Sequence, residues 1–256
     1  MPRLRLLDYA AVRSAVAREL GRDIEYHTSI DSTQTRALAL AHEGAIRGVV
    51  VSDEQRAGQG THGRAWHAAA GTSLLASWIV RPAPAAPSLF AALSGVAIAR
   101  AFDALGAPEA HLKWPNDVEL AGKKVAGALA HGSSDGSGGI LALGIGVNVH
   151  QRAEDFPAEL RPTATSLAIA GHTVDRLALL ARLTAQLDRL EDAGERARAM
   201  TEWRERCSII GARVEVRTSG REPLGGIATA IDDDGALLVR TAAGVERVIA
   251  GDVRQA

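Results

Sequence analysis

The hydrophobic period of this chain changes once, near residue 207, and that change limits its architecture more than any other feature. From Val174 to about Arg206, the leucines Leu177, Leu180, Leu183, Leu187 and Leu190 recur at helical spacing, with a break expected at Gly194. After Cys207 the period shortens to that of strands, over Val214–Val216, Gly226–Ile231, Leu237–Arg240 and Val245–Ile249. Asp232-Asp233-Asp234-Gly235 has the chemistry of a hairpin turn between two of them. A long amphipathic helix followed by nothing but short strands predicts two domains. These are 1–206, and 207–256 as a small β-barrel.

The first of these domains mixes strands and helices without strict alternation. Residues 24–30 read as a strand, and Ser32 as the N-cap of a helix that Gly44 closes. Gly48–Ser52 and Thr72–Val80 are β-branched or apolar enough for buried strands. Ser88–Leu105 reads as a helix ending at Gly106, and His111–Trp114, Lys124–Leu129 and Ile140–Val149 as further strands. HGSSDGSGG (131–139) has turn chemistry throughout and predicts a hairpin connection. Leu4, Leu7, Val12, Val16 and Leu20 predict a leading amphipathic helix over 1–24. This order argues for an α+β domain and against a doubly wound parallel sheet.

Composition excludes several function classes. The net charge of −1 is spread over well-mixed acidic and basic residues, with no basic stripe of the kind a nucleic-acid binder carries. No apolar run approaches the roughly 20 residues of a membrane span. Acidic residues interrupt the arginine-bearing N-terminus and no apolar leader core follows, so the expected location is the cytoplasm. The single cysteine, Cys207, cannot form an internal disulfide, which fits a reducing compartment, and its neighbours suit a packed thiol better than a nucleophile.

Four segments carry chemistry. In Gln55-Arg56-Ala57-Gly58-Gln59-Gly60-Thr61-His62-Gly63-Arg64, three glycines just after a strand allow close backbone approach to a ligand, free N–H groups to cradle phosphate, and a bidentate contact from Arg64. No helix start follows, so the dinucleotide fingerprint lacks its context, and a plain surface loop stays open. KWPNDV (113–118) gathers Lys113, Trp114, Asn116 and Asp117, either around a ligand or as a β-turn whose side chains bond the local backbone. GKKVAG (122–127) leads two lysines into a strand, projecting into a cleft or simply solvated. GIGVNV (144–149) ends an apolar strand at Asn148, whose amide needs a partner in backbone or ligand.

Together with Asp31-Ser32-Thr33-Gln34, in this order and at these spacings, the four segments resemble the biotin protein ligases. The resemblance covers most of 25–150, and the strand-rich module after 207 resembles that family's SH3-like C-terminal domain in place and size. It implies a mixed sheet with flanking helices similar to class II aminoacyl-tRNA synthetases. It implies ATP-dependent formation of biotinyl-AMP, and transfer of the biotin to a lysine of the biotin carboxyl carrier protein of a carboxylase. Biotin contacts would come from Ser32, Thr33, Gln34, Gln55, Gln59, Gly60, Thr61, Trp66, Lys124 and Gly127, with Trp114 a further candidate wall unless either tryptophan belongs to the core. Phosphate contacts would come from Gly58, Gly60, Gly63, Arg64, Lys113, Asn116 and Asn148. Lys124 would be the central electrostatic catalyst, helped by Arg64, with Asp117 orienting the incoming amine. Mg2+ would arrive with ATP, without a dedicated metal site.

One departure stands out. The family loop reads Gly-Arg-Gly-Arg-x-Gly-Arg, whereas Gln59 and Thr61 occupy the first two arginine positions, which predicts a weaker hold on the adenylate. Three other readings compete with this one. A lipoate or octanoate ligase or transferase shares the fold, but KWPND and the glycine loop favour biotin. A non-catalytic biotin-binding or sensing protein fits poorly with Lys113, Lys124 and Asn148 kept together. A DNA-binding repressor is not expected, because only about 25 residues precede the first matched strand, too few for a helix-turn-helix domain. Oligomeric state stays open between a monomer and a weak homodimer.

Overall fold

The computed structural model describes residue 10 and residues 23–133, 139–218 and 220–255. The leading helix expected over 1–24 lies outside them apart from Ala10 and residues 23–24, and the latter begin the first strand.

Seven strands form the large sheet: β1 (Asp23–His27), β2 (Gly48–Ser52), β3 (Ser73–Val80), β4 (His111–Lys113), β5 (Asp117–Leu120), β6 (Lys123–Ser133) and β7 (Ile140–Asn148). Their spatial order is β1-β2-β3-β7-β6-β5-β4. Only β1 and β2 run parallel, and every other pair is antiparallel, so the sheet is mixed as expected. Strand β5 begins at the end of the segment read as a ligand site or turn and runs two residues past it, and its four residues are too few to show a period. β6 continues to Ser133, so the connection starts later than the sequence suggested; residues 134–138 of that connection lie outside those described.

The alternation of strand side chains divides the core. On one face, Val50, Ile79, Ile140 and Ala142 meet Ala37 and Ala41 of helix α1 (Thr33–His42). On the other, Val49, Val51, Leu74, Trp78, Leu141 and Leu143 pack in a larger core with helix α2 (Pro87–Ala104). Gly44 and Gly106 follow α1 and α2 at φ 109° and 75°, the left-handed conformation that ends a helix at little cost to glycine. The expected long helix is two: α3 (Arg176–Arg189) and α4 (Ala193–Arg206). The break falls at Leu190–Asp192 and not at Gly194, since the Asp192 carboxylate accepts from the Glu195 N–H at 2.9 Å and caps α4.

The C-terminal module is a five-stranded antiparallel sheet of β8 (Arg213–Arg217), β9 (Leu224–Ile231), β10 (Leu237–Thr241), β11 (Gly244–Val248) and β12 (Asp252–Gln255), in the order β11-β10-β9-β8-β12. Strand β12 reads DVRQ, a composition with no strand signature, and it forms because β8 offers an edge. The two sheets are fastened together. Ser208 N–H donates to Leu112 O at 2.8 Å, Arg204 Nε to Ile231 O at 2.9 Å, and Trp114 Nε1 to Gly235 O at 2.9 Å. Val214, Val216, Leu237 and Val239 join the same apolar core as α2, so the modules share one interior.

Candidate active site

Glycines on one face of β6 and β7 clear the space for the site. Gly127 and Gly146 lie opposite one another in register, and Gly144 lies two residues away on the same face. A methyl group on Gly144 would sit 3.2 Å from Gln34 Nε2, and one on Gly146 would sit 2.6 Å from Trp66 Cε2. The glycines of GIGVN are there because two larger side chains lie across them.

Above this floor is an inner cavity lined by every residue expected around biotin, from Ser32 to Gly127. Ser32 does cap α1, accepting from Thr35 N–H at 3.3 Å, and still borders the cavity. Gln55 Oε1 accepts from both Thr33 N–H at 2.8 Å and Thr33 Oγ1 at 3.0 Å, and Thr33 Oγ1 lies 2.8 Å from Ser77 Oγ. Gln34 is committed within the protein: Nε2 donates to Leu129 O at 2.7 Å and Ala142 O at 3.0 Å, and Oε1 lies 3.0 Å from His131 Nδ1. The Trp66 indole N–H is buried without a hydrogen-bond partner among the described residues.

The cavity opens into an outer cleft of about 930 Å³ between the large sheet and the C-terminal module. Lys124, Asn116, Gly60, Thr61 and Trp66 border both spaces. The cleft face of β4, β5 and β6 carries a row of alternating charge. Lys124 Nζ lies 2.6 Å from Asp117 Oδ1, and Lys113 Nζ lies 3.4 Å from Glu119 Oε1. The backbone of Lys124 is pinned by Thr163 O and Thr165 N–H, each at 2.8 Å, and its ammonium lies 5.6 Å from the Trp66 ring centre. The lysine pair of GKKVAG therefore divides: Lys124 faces the junction of the two cavities, while Lys123 is exposed.

Asn148, 4 % exposed, borders the cleft and donates to Thr165 O at 3.0 Å. The Asn116 amide donates to Ala128 O, so both asparagines have the backbone partners that a turn or strand end requires. The glycine loop is a closed hairpin in which Trp66 N–H donates to Gly58 O at 2.9 Å and Gly60 N–H to Arg64 O at 2.7 Å. Arg64 reaches across to the C-terminal module, 2.6 Å from Asp252 Oδ1, and also donates to Thr61 Oγ1 at 3.0 Å. Of the expected phosphate contacts, Gly60, Arg64, Lys113, Asn116 and Asn148 border the cleft, whereas Gly58 and Gly63 border neither space. Gly58 is needed for a different reason: a methyl group there would stand 2.8 Å from Gln55 Nε2.

Trp114 borders the outer cleft and not the inner cavity, and its surroundings fit the core alternative. It is 2 % exposed, and its indole N–H is spent on the Gly235 carbonyl. Cys207 is packed, and burial pushes its thiol pKa up, away from nucleophile chemistry. His150 is pushed down by burial and by the Arg176 charge. Sequence reasoning missed Glu119, Asp252 and the buried Asp53–Arg176 pair, 2.6 Å apart. Nothing in the local sequence of these acidic residues signals that a distant cation completes them. Among the described residues no group of three or more His, Cys, Asp or Glu side chains could hold a metal ion.

The model of the biotin/lipoate A/B protein ligase family matches residues 26–148, and that of the biotin protein ligase C-terminal domain matches residues 209–254. The chain is 36 % identical over 245 residues to the biotin–[acetyl-CoA-carboxylase] ligase of Mycobacterium tuberculosis, covering 91 % of this chain and 88 % of that one. It is 37 % identical over 238 residues to the enzyme of that name from Paracoccus denitrificans, covering 87 % and 96 %. Biotin protein ligase from Aquifex aeolicus in complex with biotin and ATP superposes with a TM-score of 0.76 at 24 % identity, over 91 % of this chain and 99 % of that one, which shows the shared fold.

Proposed function

The chain belongs to the biotin protein ligases, and from that premise we propose that it joins biotin to a carrier lysine in two steps. A carboxylate oxygen of biotin attacks the α-phosphorus of MgATP, the bond to the β-phosphate breaks, and pyrophosphate leaves. The carrier's uncharged lysine amine then attacks the biotinyl carbonyl. AMP departs with the bonding electron pair, and the amine loses its proton.

The observation that carries this reading is the position of Lys124, whose side chain borders the inner cavity and the outer cleft at once. The first step brings together two anions that repel, and a fixed cation at their meeting point stabilises the charge that builds on the bridging oxygens. Asp117, 2.6 Å away, holds that ammonium while the site is free of ligand. When the carboxylate and phosphate arrive, Asp117 is left beside the reaction centre to receive the incoming amine. The inner cavity suits a urea, because Thr33, Gln55 and Ser77 place donors and acceptors together there, and the unpaired Trp66 N–H adds a donor. A dithiolane, as in lipoate, would use none of them.

We place the boundary between the two domains at 206/207, where α4 ends ahead of the first strand of the second sheet at Arg213. The cleft-facing edge of the C-terminal module supplies Asp252 and Arg254 beside the nucleotide. The reaction belongs in the cytoplasm, with ATP at hand and a lone thiol kept reduced. Among the described residues no helix is long and apolar enough to cross a membrane.

The decisive measurement is ATP-dependent incorporation of labelled biotin into a purified biotin carboxyl carrier domain, with lipoate as the competing substrate. Biotin is expected on the carrier, with release of one pyrophosphate per biotin. Incorporation of lipoate in preference to biotin, or biotin bound without pyrophosphate release, would overturn the reading.

A further inference from the structure

Behind the cleft runs a chain of buried polar groups that reaches ligand-facing space only at Asn148. Gln151, just past the end of β7, is 1 % exposed and borders neither cavity. Its Nε2 donates to Asn148 Oδ1 at 2.9 Å and to Ser73 Oγ, which uses both of its hydrogens. Ser166 Oγ in turn donates to the Gln151 backbone carbonyl at 2.7 Å, so the residue is held at both ends. From Ser73 the chain continues through its carbonyl to Arg176 Nη1 at 3.2 Å, and on to Asp53 at 2.6 Å.

Gln151 Oε1, by contrast, is buried with no hydrogen-bond partner among the described residues. An apolar side chain of similar volume would fill this place without an orphaned acceptor, so packing alone does not favour an amide here. What the amide does is fix Asn148. With Gln151 donating to its oxygen and Thr165 O accepting from its nitrogen at 3.0 Å, the Asn148 side chain has one orientation. A flipped amide would set N–H against N–H on one side and carbonyl against carbonyl on the other. The same 163–165 segment bonds the Lys124 backbone, so Asn148 and Lys124 share one frame.

We propose that Gln151 is a positioning residue, which holds the Asn148 amide in the orientation that meets the nucleotide phosphates. This rests on the reading of the outer cleft as the ATP site. Gln151 acts only through Asn148 and has no part in holding biotin.

The test is a double-mutant cycle in the full chain, read as separate KM values for ATP and biotin in biotin-dependent ATP–pyrophosphate exchange. The variants are Gln151→Met, Gln151→Glu, Asn148→Ala and the Gln151→Met/Asn148→Ala double. Methionine keeps the volume without donors, and glutamate keeps the shape but only accepts while ionised. Both single variants at 151 are expected to raise the KM for ATP by about tenfold and to leave the KM for biotin unchanged. The double variant is expected to be no worse than Asn148→Ala alone. Effects that multiply, equal shifts in both KM values, or no shift while Asn148→Ala is impaired would overturn the role of Gln151. If either variant fails to fold, the other carries the comparison. An unaltered KM for ATP in Asn148→Ala would instead remove the nucleotide reading of the cleft, and this proposal with it.

Discussion

In the inner cavity Thr33, Gln55 and Ser77 satisfy one another at 2.8 to 3.0 Å, and Gln34 has spent its donors on two strand carbonyls. In the outer cleft the corresponding work is done by ions: Lys124 with Asp117, Lys113 with Glu119, and Arg64 with Asp252. The neutral network is short-ranged and largely enclosed, so it stands ready-made and a ligand adds to it. Lys124–Asp117 and Arg64–Asp252 are partly open to water, where each cation can exchange its carboxylate for a phosphate at modest cost, whereas Glu119 is buried beside Lys113. The rigid half therefore suits recognition of a small heterocycle. The exchangeable half suits a highly charged substrate that must also leave.

The sharpest way to break this contrast is at Lys124, the cation among the residues that border both halves. Lys124→Ala should slow biotin-dependent pyrophosphate release by on the order of 10² to 10³, the usual scale for losing a preorganised electrostatic contact to the reacting centre. A rate within threefold of the parent enzyme would mean that the cation at the junction is incidental. The next largest effect bears chiefly on the rigid half. In Gly146→Ala the new methyl would stand 2.6 Å from Trp66 Cε2, so the indole must move. The KM for biotin should rise by about tenfold, with the KM for ATP nearly constant; parallel changes in both would show that the halves are not separate. The smallest effect belongs to the exchangeable half. Asp252→Asn frees Arg64 from a carboxylate, in a pair whose side chains are 60 % and 42 % exposed. The KM for ATP should fall by no more than about fivefold, and the difference should vanish as salt is raised. A larger or salt-independent change would show that this contact holds the loop in place and is not merely a competing ion pair.

The sequence made many residues of the inner cavity legible because they cluster in short motifs with local causes, whereas Ser77, inside an apolar strand, was not singled out. Ser32 caps α1, Gly127, Gly144 and Gly146 alternate on strands, and the glycine loop follows β2. Lys124 was legible through its motif, though its neighbour Lys123 has the same chemistry and only the strand pleat separates them. What escaped were partners far away in the chain. Asp252 meets a loop residue 188 positions earlier, and Gln151 reaches back 78 positions to Ser73. Trp114 sits in the most specific motif of the chain, yet its indole N–H is spent on joining the second sheet. Strands β5 and β12 were missed because four residues are too short a run to establish a period, and each forms against a neighbouring strand.

Hydrophobic period, helix caps and glycine positions are set by nearest neighbours along the chain, so the sequence by itself determined the two-part architecture and the place of most elements, while its motifs pointed to the chemistry of the site only through their resemblance to a family. Charge pairing and the satisfaction of buried polar groups depend on which surfaces meet. Tertiary structure alone therefore decided which carboxylate opposes each lysine, where Trp114 points, and that Gln151 stands behind Asn148. A charge or an amide selects its partner by distance in space, which the folded chain supplies and the order of residues does not.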